Sequence, residues 1–99
     1  MSTQTESIGN VVDVLAELLG SVDSQTGYYL SDAIEEATDT MKKSMVNPPP
    51  PDLNVRYEHL AAKFDNLAAL LSSRTDSLNA IQQLRRTTTE LKTASLATN

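Results

Sequence analysis

The chain has 99 residues, 13 acidic against 8 basic, and a formal net charge of −5. That length makes one domain, and that charge argues against nonspecific binding to nucleic acid. It holds no cysteine, which excludes disulfides, thiolate metal sites and thiol nucleophiles.

The opening Met1-Ser2-Thr3-Gln4-Thr5-Glu6 lacks the basic region of a secretory signal. No apolar run reaches the roughly 20 residues that span a bilayer. A cytoplasmic protein without membrane insertion is the expectation. Thr3 and Glu6 have the T-x-x-E spacing of a capping box, so a helix begins near Gln4. Apolar residues then recur at Ile8, Val12, Leu15, Leu19, Val22, Tyr29, Ala33, Ala37, Met41 and Met45. Turned by about 100° per residue, they keep to one arc. This phase predicts one long helix over 5–46 with a soft point at 20–27, where Ser24-Gln25-Thr26-Gly27 reads as a loop. The alternative is a break there, with Asp32 and Glu35 forming a second box and the architecture becoming a three-helix bundle.

Residues 47–52, Asn47-Pro48-Pro49-Pro50-Pro51-Asp52, contain all four prolines. A helix cannot run through them, because proline lacks the backbone N–H and constrains its predecessor. A short polyproline II turn follows, with Asp52 as N-cap of the next helix. Pro48 and Pro51 also fit P-x-x-P, but no arginine lies in the block, so the connector reading is preferred. The second helix is expected over 53–93, with Tyr57, Leu60, Phe64, Leu67 and Leu71 at heptad spacing. Arg74 takes the next seam position, and Leu78, Ile81, Leu84 and Leu91 resume the stripe. The tail 94–99 is expected to fray. The most buried residues should be Leu15, Leu19, Leu60, Phe64, Leu67, Leu71, Leu78 and Ile81.

Two arms of about 40 residues, each roughly 60 Å long, make an all-α antiparallel hairpin. Two helices bury one stripe each, too little to offset the entropy of ordering them, so further helices must pack alongside as a bundle or coiled coil. Residues 1–41 hold eight acids and no lysine or arginine, and residues 42–99 hold eight bases and five acids, giving −8 and +3. Folded about the prolines, Asp13 faces Arg86, Glu6 faces Lys92 and Glu36 faces Lys63. Such pairs, with Arg74 in the seam, would set register more than stability. Val11, Val14 and Leu18 widen the apolar arc of the first arm to about 200°, beyond the about 100° that one partner covers. With Gly20 and Gly27 allowing close helix approach, these five residues form the expected partner interface.

No catalytic constellation emerges. His59 is the only histidine and has no cysteine partner for zinc. Glu35 and Glu36 point about 100° apart on a helix, and no phosphate-binding glycine motif occurs. The expectation is a non-enzymatic interaction subunit of a helical multiprotein assembly, of adaptor, tether or scaffold type. No cofactor or small-molecule ligand is expected, and the partners would be other helical proteins or copies of itself. Asn47-Pro48, Pro51, Leu53, Tyr57 and Leu60 also resemble the turn of type III secretion needle subunits over about 15 residues. That resemblance implies a self-assembling secretion-apparatus subunit as the alternative. The C-terminus, Leu91-Lys92-Thr93-Ala94-Ser95-Leu96-Ala97-Thr98-Asn99, is more polar than in that family.

Overall fold

Amphipathic phase predicts which face of a segment is buried, but it does not say whether the helix axis continues. In the computed structural model, which describes residues 3–74 and 77–97, both arms break and fold back on themselves. The helices are α1 (Thr3–Leu18), α2 (Ser24–Ser44), α3 (Leu53–Leu71) and α4 (Leu78–Ala97), with a 3-10 turn at Leu19–Ser21. The expected helix 5–46 is therefore two helices, and 53–93 is also two. The Thr3 side chain, expected to cap the first helix, is not among those described, and of the tail 94–99 expected to fray, residues 98–99 lie outside the described residues. Residues 94–97 continue α4, and Ala94 and Ser95 are buried.

The first break has a local cause. Val22 and Asp23 both adopt extended backbone conformations. Asp23 then caps α2, its carboxylate accepting from Thr26 N–H at 3.4 Å, while Gly27 N–H reaches the Asp23 carbonyl at 2.8 Å. The start signal is Asp23, and Asp32 lies within α2. At the second break Ser72 Oγ donates to the Ala69 carbonyl at 2.7 Å and Arg74 N–H to the Leu71 carbonyl at 3.0 Å. Short polar side chains compete there with the helix ladder. At the proline turn Leu53 N–H bonds the Pro50 carbonyl at 3.2 Å. Asp52 precedes α3, but its side chain does not cap the helix; the carboxylate takes Arg56 Nε at 3.2 Å instead.

Side-chain bonds fix an up-down-up-down order. Thr5 Oγ1 meets Ser44 Oγ at 2.9 Å, joining the start of α1 to the end of α2. Ser7 donates to Glu90, joining the start of α1 to the second half of α4. Each helix packs on the next and α4 closes on α1, in a body of 39 × 20 × 19 Å. The four helices supply one core: Ile8, Val11 and Leu15 from α1, Leu30, Ala33 and Ala37 from α2, Tyr57, Leu60, Phe64, Leu67 and Leu71 from α3, and Leu84 and Leu91 from α4. The further helices that a bare hairpin lacks are thus provided by the chain itself. Leu19 and Leu78, expected inside, are 37% and 65% exposed, since both sit where a helix reverses. Ile81 is only partly buried.

Candidate interaction surface

The internal core reassigns the residues expected to meet a partner. Val11 is fully buried within the chain, and Val14 and Leu18 pack against the same core. Their wide apolar arc is explained by α1 having two neighbours, α2 and α4. Within the chain no helix packs closely on Gly20 or Gly27. A Cβ on Gly20 would meet nothing within 4 Å, and one on Gly27 would make ordinary contacts with Val22 and Leu19 at 3.8 and 3.9 Å.

The register pairs divide in the same way. Lys63 Nζ lies 2.6 Å from Asp32 and 3.1 Å from Glu36, so the Glu36–Lys63 pairing is present. The hydrogen bond to Asp32, more than that to Glu36, holds the Lys63 ammonium above the ordinary lysine range. Arg56 bridges Asp39 at 3.1 Å and Asp52 at 3.2 Å. Asp13 and Arg86 are both exposed, and among the described residues neither has an ion-pair partner. The extra helix break displaces them from the symmetry of a simple hairpin. Arg74 is not in a seam: it lies between α3 and α4, with Nε on Ser77 Oγ at 3.2 Å and Nη2 on the Ser21 carbonyl at 3.4 Å. It ties the two tight turns together at one end of the bundle. Pro48, Pro49 and Pro51 are exposed at the other end, beside Met45 and Val46.

The surface feature that the sequence reading missed is the outer side of α3. Val55, His59, Ala62, Asn66 and Ala69 alternate at four- and three-residue steps, and all are exposed. They repeat the heptad spacing of the inner stripe Tyr57, Leu60, Phe64, Leu67 and Leu71 on the opposite side of the helix. No charged residue interrupts this ridge. Leu70 and Tyr29, 42% and 46% exposed, flank it toward α2, in a groove that also holds Asp32, His59 and Lys63. Toward α4 a second groove contains Glu58, Asp65, Lys92 and Leu96. Ala62 and Asn66 border both grooves. The double heptad is legible in the sequence, but the stronger inner stripe obscured it.

Such a ridge can receive another helix: neutral and small at its centre, apolar at its edge, charged on both flanks. Among the described residues no group of His, Asp or Glu is placed to hold a metal ion, and no helix is long and apolar enough to cross a membrane. Comparison of the chain with protein-family models, curated proteins and solved structures gives no match.

Proposed function

We propose that this chain is a non-enzymatic structural subunit that joins a helical assembly of adaptor, tether or scaffold type through the outer face of α3. The observation that carries the reading is the uncharged heptad ridge Val55–His59–Ala62–Asn66–Ala69, fully outside the core and bordered by exposed Tyr29 and Leu70. Helices with heptad spacing on two opposite sides bury one side in their own bundle and offer the other to a partner. The contact would be with a helix, and the charged flanks would select its orientation.

The alternative, a self-assembling secretion-apparatus subunit resembling a needle, rests on a layout of two helices about a proline turn. The closed bundle favours the first reading, because both arms are folded into one core.

The test is native purification followed by light scattering, comparing the wild type with Leu70→Glu. The wild type should run as a defined complex or oligomer, and the variant should lose that state while its circular dichroism is unchanged. Equal association in both would overturn the reading.

A further inference from the structure

We infer that the bundle opens at the proline turn into two intact hairpins, α1–α2 and α3–α4, and recloses with the opposite hairpins of a second copy, giving an exchanged dimer. This goes beyond the reading of α3 as an interaction surface and does not use its ridge. Each hairpin packs more extensively on itself than across to the other. The three reversals are also held unequally. At the first, Asp23 caps α2 and its carbonyl takes Gly27 N–H. At the third, Ser72 Oγ and Arg74 N–H bind the Ala69 and Leu71 carbonyls. At the middle one, the proline turn, no side chain caps α3.

Proline suits that turn to act as the hinge. Four of the residues in 47–52 have no backbone N–H, so few hydrogen bonds are lost when the stretch straightens. Leu53 N–H closes the turn on the Pro50 carbonyl at 3.2 Å. Pro48, Pro49 and Pro51 are already exposed, so extension uncovers little apolar surface there. Extended, residues 45–52 span about 25 Å, more than the 20 Å width of the bundle.

The seam between the hairpins is tied by polar groups. Among the described residues the ion pairs between helices are Asp32–Lys63, Glu36–Lys63 and Asp39–Arg56, all from α2 to α3. All are partly open to solvent, where such pairs hold weakly. Opening uncovers Ile8, Leu15 and Leu30 on one hairpin and Leu60, Phe64 and Leu84 on the other. Neither hairpin buries enough surface by itself to stay open in water. The surface that fits each stripe, apolar contact for apolar contact and acid for base, is the opposite hairpin, and a second copy supplies it unchanged. Within one chain the hairpins meet at an effective concentration on the order of 1 mM. The closed monomer therefore prevails in dilute solution, and exchange appears as the protein concentration nears that value.

The test uses the full chain, which has no native cysteine. Two variants, Ser7→Cys and Glu90→Cys, each also carry Ala62→Glu to remove any pairing through the ridge. Ser7 donates to Glu90 across the hairpin seam, so thiols placed on separate chains come together there only after exchange. The two chains are mixed at roughly 1 mM, diluted to roughly 10 µM and treated at once with a short bis-maleimide. The covalent heterodimer should be about tenfold more abundant than in a mixture kept dilute throughout. Asp32→Cys mixed with Lys63→Cys, at exposed or half-buried positions that the fold tolerates, should report the same exchange at the α2–α3 seam. Thr5→Cys mixed with Ser44→Cys should give no heterodimer, because that contact, 2.9 Å in the wild type, stays inside one hairpin. Lys63→Ala in the Ser7 and Glu90 pair breaks ties that are remade in the dimer, so it should speed exchange about fivefold and leave the final yield unchanged. No cross-link at either seam, equal yields at both concentrations, or cross-linking of the Thr5 and Ser44 pair would overturn the inference. Its failure leaves the interaction-subunit reading standing, since that reading is tested by Leu70→Glu.

Discussion

Phe64 gives the sharpest measure of how well the core is built. It is the only phenylalanine of the chain and is fully buried, projecting from α3 into the centre of the four-helix core. Truncation to alanine removes the ring and leaves a cavity that the flanking helices close only in part, at a cost of about 3–5 kcal/mol. A domain of this size has about 5–15 kcal/mol of stability in total, so the loss is a large share of it. The melting temperature should fall by roughly 12–40 °C. Phe64→Leu keeps most of the apolar volume and should cost less than about 1.5 kcal/mol. Urea unfolding followed by circular dichroism would measure both, with the slope of the transition unchanged if only the folded state is affected. A loss below about 1 kcal/mol for Phe64→Ala would refute a tightly packed core at this position.

Other expectations follow from single groups. Thr87 is buried on α4 and its hydroxyl has no hydrogen-bond partner among the described residues, whereas Thr88 bonds the Leu84 carbonyl at 2.7 Å; Thr87→Val should be neutral or stabilise by about 1 kcal/mol in urea unfolding, and a clear destabilisation would contradict this. The Asp23 carboxyl is held below its ordinary range, chiefly by a hydrogen bond from the Thr26 side chain. Its contribution is present above the ordinary value of about 3.9 and is lost as pH falls through the lowered one; Asp23→Ala should speed amide exchange at Thr26 and Gly27, and Asp23→Asn should restore much of the protection. At the alkaline end, burial raises the Tyr57 phenol and the Asp32 hydrogen bond raises the Lys63 ammonium. Both groups bind their protons more tightly when folded, so their contributions are complete below about pH 10 and are lost as pH rises through the folded values. Thermal melts above that pH should decline less steeply for Tyr57→Phe, and an unchanged slope would contradict the assignment.

The inner stripe of α3 was legible because five large residues at heptad spacing leave one way to bury them. The proline turn was legible because it rests on covalent geometry. The two other reversals were not, and for a physical reason. The stretches between α1 and α2 and between α3 and α4 are short enough that the apolar phase on one side carries over to the other, so periodicity alone reads through them. What decides the first is a local cap at Asp23 combined with the gain from closing α1 onto α4. That closure is a tertiary contact with no sequence-local signature. Once it forms, Val11 and Leu18 cease to be surplus apolar surface. The ridge on α3 follows as the outward half of a doubly patterned helix.

All of this depends on the chain closing its own core. Small-angle scattering from the Ala62→Glu variant, which removes any pairing through the ridge, measures that closure directly. The closed bundle predicts a radius of gyration near the 13.1 Å of its Cα trace. An open hairpin with arms of about 60 Å would give roughly 17 Å or more, and that value would contradict the account.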